Sequence, residues 1–277
     1  MSSRFPNLAG EPPAISLELD SPELAYSYER MGRRQFNHGK VLIESLQVRP
    51  GERVLDIGCG TGLLAAHVAG LVAPDGEVIG VDPLPFRVEI AVPKHPLFRA
   101  RVGRAEDLSP FADASFDVVY LNSVLHWLRD KAGALREAHR VLRSGGRIGV
   151  NSADADHAHQ SGVLVRECLL EEGLNGAALT SAAGNRYRVN ARELSDLLRA
   201  AGFSEIQVRA HTFVDQVSGA DEVFAWSRSS SFGNFLSKLT SAELDAVRQR
   251  LARKLEALRT ETGIQLERYL VFATARR

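Results

Sequence analysis

Val54-Leu55-Asp56-Ile57-Gly58-Cys59-Gly60-Thr61-Gly62 is the stretch that decides the fold. A short apolar run ends in three alternating glycines, and Leu63 to Val72 then reads as a helix. Such a run suits a strand buried on both faces. Glycine lets the backbone turn tightly and lets a ligand approach closely. Working outward, Glu77 to Val81 is a second strand ending at Asp82, and Arg87 to Val92 is a short helix stopped by Pro93. Phe98 to Val102 and Phe116 to Leu121 are the third and fourth strands. Lys131 to Leu142 is a helix with Leu135, Ala138, His139 and Leu142 on one face. Ser144-Gly145-Gly146 turns the chain into a fifth strand, Arg147 to Val150. Strands alternating with helix-length spacers predict right-handed crossovers and a doubly wound parallel α/β sheet. In such sheets the first glycine turn lies at the carboxyl edge, where ligands bind.

Spacing narrows the ligand. Dinucleotide folds favour G-x-G-x-x-G. Here the order is G-x-G-x-G, with Asp56 two residues before the first glycine and Asp82 closing the next strand. This arrangement resembles the first motif of class I S-adenosylmethionine-dependent methyltransferases, and the resemblance runs over roughly Val48 to Val150. Gly103-Arg104-Ala105-Glu106-Asp107-Leu108-Ser109-Pro110-Phe111 resembles the family's segment after the third strand, with Arg104 standing where an acid or asparagine meets the adenine. Phe116 to Leu128, FDVVYLNSVLHWL, and Ala134 to Gly146 match its fourth-strand and fifth-strand approaches, as in the small-molecule, type 11-like group.

The resemblance implies a Rossmann-like sheet of seven strands whose last strand is antiparallel, with helical additions forming a lid. It implies S-adenosyl-L-methionine as cofactor. The residues expected to hold it are Asp56, Gly58, Cys59, Gly60, Gly62, Asp82, Pro83, Ala105, Glu106, Asn122 and Tyr28. Asp82 is the expected ribose acid, since a carboxylate accepts from both hydroxyls. The implied activity is in-line methyl transfer to an oxygen, thiol or nitrogen nucleophile of a small molecule. An NAD-dependent oxidoreductase and a catalytically silent cofactor-binding module are the alternatives.

Two flanking parts complete the reading. Residues 1–47 are a lead-in and cap helices, where Ser21-Pro22-Glu23 starts a helix and Phe36 to Leu46 forms another. Residues 48–277 are the methyltransferase domain, with acceptor-side helical insertions at about 151–190 and 215–263. The expected elements there are helices at Ser161 to Glu172 and Ala191 to Ala201, a sixth strand at Ser204 to Ala210, a helix capped by Thr240-x-x-Glu243 and a last strand at Glu267 to Ala275. His126 is the catalytic candidate: a neutral imidazole could take a proton from the acceptor, or it could serve as a wall or hydrogen-bonding group. Trp127, Trp226, Phe232 and Phe235 are expected to line the acceptor pocket. Asp154, Asp156, His157 and His159 read as a polar loop rather than a metal site.

Composition excludes other classes. Of 277 residues, 44% are hydrophobic and 25% charged, and 34 basic residues balance 34 acidic ones. Nucleic-acid binders usually carry a basic surplus, so no nucleic-acid or membrane partner is expected. Two distant cysteines and no apolar leader predict a reducing, cytoplasmic setting. Oligomeric state is not legible.

Overall fold

The computed structural model describes residues 20–174, 187–229, 236 and 239–277. Seven strands form one sheet in the order β3-β2-β1-β4-β5-β7-β6. They are β1 Arg53–Ile57, β2 Glu77–Asp82, β3 Phe98–Val102, β4 Phe116–Asn122, β5 Leu142–Ala153, β6 Ser204–Val217 and β7 Ile264–Arg276. The first five pair in parallel, and β7 runs antiparallel between β5 and β6. Strand order reverses beside β1, between β2 and β4. Open α/β sheets bind ligands at that switch point.

Alternate side chains go to opposite faces. Leu55, Ile57, Val119, Leu121, Ile148 and Val150 pack on one face, with helices α5 (Lys131–Val141) and α7 (Ala191–Ala200). Val54, Val118, Tyr120, Leu270 and Phe272 face the other, against α2 (Arg33–Leu46) and α3 (Leu63–Val72). Preceding them, α1 (Pro22–Met31) starts as expected: Ser21 Oγ accepts from Leu24 N at 3.2 Å, with proline at the first position. Helix α4 (Pro85–Ala91) follows β2.

A third apolar cluster stands beyond the carboxyl end of β5. It joins α6 (Gln160–Glu171), α8 (Ala220–Arg228) and α9 (Ser241–Glu256) to the end of β6 and the start of β7. Thr240 and Glu243 cap α9 reciprocally, as the sequence predicts. The basic residues of α9 are not merely solvated. Arg250 pairs with Glu171 and Glu172, and Lys254 pairs with Glu167 and Glu171, tying α9 to α6.

The main departures lie here. β6 extends to Val217 rather than Ala210, because β7 pairs with it as far as Val217↔Ile264. α8 occupies part of what reads in sequence as an undivided excursion. Phe232, Phe235 and most of Gly173 to Gly184 lie outside the described residues.

Candidate functional site

Gly58, Gly60 and Gly62 have φ of +77°, +54° and +80°, a region that favours glycine. The turn is tied to β2, since Gly58 N and Cys59 N both donate to Val81 O, at 2.7 and 3.0 Å. The packing around it is close. A Cβ at Gly58 would lie 2.2 Å from Val124 Cγ2, and one at Gly62 2.6 Å from Phe98 Cε1.

Two buried carboxylates flank the turn. Asp82 Oδ2 accepts from Gly60 N at 2.9 Å and Oδ1 from Leu84 N at 3.0 Å. Each oxygen keeps a lone pair for a further donor. Burial raises the Asp82 pKa, and the Arg87 charge works against that rise. Pro83 follows, half-buried. On β1, Asp56 Oδ2 accepts from Tyr120 Oη at 2.7 Å. Burial pushes Asp56 up to about 7, the Tyr120 hydrogen bond opposes this, and the Asp82 charge adds to it.

That value has a consequence for stability. A carboxyl whose folded pKa lies above its unfolded one, about 3.9, contributes stability that is complete at low pH and lost as pH rises through the folded pKa. Ligand-free protein is therefore expected to lose stability between about pH 4 and pH 7 through Asp56. Asp56→Asn should flatten that slope. Chemical denaturation across the range checks this: parallel curves for both proteins would show that Asp56 titrates normally.

Tyr28 of α1 reaches the site. Its ring carbon would sit 3.2 Å from a Cβ on Gly60, and the Arg87 guanidinium lies 3.8 Å from its ring centre. Tyr26, two residues earlier on the same helix and so on its other side, is 61% exposed and lies outside the site. Arg87 is a site residue that the sequence reading missed. Its signal was an arginine in the first turn of the short helix that follows Asp82; it is 5% exposed. Asn122 ends β4, donates to Gln35 O at 3.1 Å and accepts from Asn151 Nδ2 at 2.6 Å. It thereby clamps α2 over the sheet. Gly103 N donates to Asp82 O at 3.1 Å, which sets the following segment beside Asp82. There Ala105 is buried, while Arg104 is solvent-exposed and 3.9 Å from Glu106. The Arg104 side chain thus turns towards solvent rather than into the buried turn.

His126 lies in a single 3-10 turn, Leu125–Trp127, after β4 and is 5% exposed. Its Nδ1 accepts from Ala153 N at 3.2 Å and sits 3.3 Å from Ser152 Oγ. An Nδ1 used as an acceptor leaves the proton on Nε2. Burial, then the Arg188, Lys131 and Arg268 charges, lower its pKa to about 3. With its Nδ1 lone pair engaged, the imidazole offers a donor, which favours the wall or hydrogen-bonding role over that of a base. A pH–rate profile should carry no limb near 6.5 that disappears in His126→Gln. Finding such a limb would restore the base.

Trp127 is half-buried, its ring 5.3 Å from that of His126. Trp226 of α8 is half-buried under the Arg268 guanidinium, 3.9 Å from its ring centre. Of the polar loop, Asp154 is buried and 2.8 Å from His157 Nδ1, while His159 Nδ1 accepts from Tyr269 N at 3.2 Å. The loop's residues thus serve different partners, and no metal-holding group occurs among the described residues.

Comparisons with known proteins agree with this geometry. Residues 55–150 match a family model described as a methyltransferase domain. Over 106 residues, 36% of this chain, it is 41% identical to a demethylmenaquinone methyltransferase of Symbiobacterium thermophilum, covering 42% of that protein. Over 210 residues, 73% of the chain, it is 28% identical to a trans-aconitate 2-methyltransferase of Deinococcus radiodurans, covering 80% of it. Phosphoethanolamine N-methyltransferase 2 of Haemonchus contortus, solved with S-adenosyl-L-methionine, superposes with a TM-score of 0.59 at 19% identity, over 92% of this chain and 57% of that one. That last likeness is one of fold. The chain spans between 35% and 54% of the length of the first three curated relatives that it matches.

A glycine turn of this spacing, on a sheet of this strand order, lies within the stretch 55–150 that matches the methyltransferase domain, and the fold is that of the class I S-adenosylmethionine-dependent methyltransferases. The family's cofactor is S-adenosylmethionine, and the residues present fit it: a cradle where added Cβ atoms would clash, and a buried carboxylate with acceptor capacity left.

Proposed function

We propose that the protein transfers the methyl group of S-adenosylmethionine to a small-molecule acceptor. The observation that carries this reading is Asp82, buried at the sheet's switch point and braced by Gly60 N and Leu84 N. When bound, the cofactor supplies a reactive sulfonium methyl. The chain's own task is then to hold the acceptor in line with it and exclude water, which is a proximity effect. Asp82 and Pro83 take the ribose end. The backbone of Gly58, Cys59, Gly60 and Gly62 takes the amino-acid end together with Asp56. Ala105 and Glu106 flank the base, and Tyr28 and Asn122 close the α1–α2 side. The cluster of α6, α8 and α9 forms the acceptor side, with Trp226 as an apolar wall; Trp127 and His126 face it from β4. The similarity to a trans-aconitate 2-methyltransferase over 73% of the chain supports a small acceptor.

The test is a screen of small acids, phenols, thiols and amines with methyl-labelled cofactor. Labelled product formed in step with S-adenosylhomocysteine is the expected result. Cofactor binding with no transfer to any class would favour a silent binding module.

A further inference from the structure

The carboxyl edge holds an excess of buried hydrogen-bond donors. His126 and His159 are 5% and 8% exposed, and each spends Nδ1 on a backbone N–H, from Ala153 and Tyr269. Both imidazoles therefore present Nε2–H. Burial comes first among the causes that hold both neutral, and the charges of Arg188 and Arg268 add to it at each ring. Those two guanidiniums stand close by. Arg188 is placed by a short parallel bridge between Asp154 and Val189, immediately after the β5 residues that hold His126. Its buried Nε has no hydrogen-bond partner among the described residues. Arg268, 6% exposed, gives its Nε to Asp215 at 2.7 Å and stacks on Trp226.

Acceptors are scarce by comparison. Asp215 is taken by Arg268, with His38 at 3.8 Å. Asp154 accepts from Asp156 N and pairs with His157, and its charge also faces Arg188 without a hydrogen bond to the Arg188 Nε. Buried donors without acceptors are costly, and a cluster of them favours an anion. Neither imidazole among the described residues of this cluster keeps a free lone pair to take a proton from an acceptor that needed deprotonation.

We infer that the acceptor is a small carboxylic acid, bound as its carboxylate among His126, His159, Arg188 and Arg268 beside the Trp226 wall, and methylated on oxygen. The inference rests on the methyl-transfer reading above. The step balances without a base. A carboxylate lone pair forms the O–C bond, the C–S bond pair returns to sulfur, and a methyl ester and S-adenosylhomocysteine result with no proton released.

Calorimetric titration of benzoate, phenylacetate, fumarate and itaconate, each against its primary amide, tests this with and without S-adenosylhomocysteine. At least one acid should bind about 30-fold more tightly than its amide, since only the acid offers the guanidiniums a charged acceptor. Arg188→Gln should bring acid and amide near parity while leaving S-adenosylhomocysteine affinity and melting temperature unchanged, and Arg188→Lys should restore part of the preference. Amides binding as well as acids, no acid binding, or a preference untouched by Arg188→Gln would each overturn the proposal. Failure of S-adenosylhomocysteine to bind while the acid preference persists would instead overturn the methyl-transfer reading and leave the anion site standing.

Discussion

Gly58→Val should destabilise the fold by about 2–5 kcal/mol, from left-handed strain of about 1–2 kcal/mol and overpacking of about 1–3 kcal/mol. The strain arises because φ is +77°, and the overpacking because the new Cβ would meet Val124 Cγ2 at 2.2 Å. Val124 cannot retreat easily, for it stands between Ser123, itself at φ +62°, and the buried Leu125. Gly51→Ala is the matched control: φ is +82° there, but a Cβ meets nothing within 4 Å. It should cost only the strain, about 1 kcal/mol. Denaturant midpoints for both variants decide the matter. Equal losses would mean that the turn is not packed against the segment following β4.

Asp82→Ala should weaken S-adenosylhomocysteine binding by about 30- to 1,000-fold, because two ribose hydroxyls lose a charged acceptor worth roughly 2–4 kcal/mol in all. Asp82→Asn, which keeps one acceptor oxygen without the charge, should fall between. A 2′,3′-dideoxy analogue removes the same contacts from the ligand side. Its affinity should therefore hardly change between wild type and Asp82→Ala. Calorimetry with both ligands checks the pairing. A dideoxy analogue that loses as much as the parent would move Asp82 away from the ribose and make it a support for the turn.

Much of this site was legible because its determinants are local. Val54 to Gly62 carries strand, turn and helix start in one stretch, and Asp82 closes the strand that pairs beside it through Asp56↔Gly80. The parallel half of the sheet follows from strand and helix lengths alone. The antiparallel half was harder. β6 is exposed along most of its length, so its residues carry no buried alternation from which its extent to Val217 could be read. The burial of Arg268 is not legible in β7 itself. Its burial depends on Asp215, more than fifty positions earlier, and on Trp226 in α8. His126 shows the limit differently. Its place after β4 could be read, but the backbone N–H of Ala153 that fixes its tautomer comes from β5 and is visible only once the strands are paired. Arg104 illustrates the reverse. The substitution looked consequential at the adenine, yet the side chain turns to solvent beside Glu106.

The central claim is that the glycine turn and Asp82 hold S-adenosylmethionine. The most direct measurement is calorimetric titration of the full chain with S-adenosylmethionine, S-adenosylhomocysteine and NAD under the same conditions. The account predicts saturable one-to-one binding of the first two, weakened in Asp82→Ala, and no measurable heat of binding with NAD. Tight NAD binding with no response to S-adenosylmethionine would contradict it.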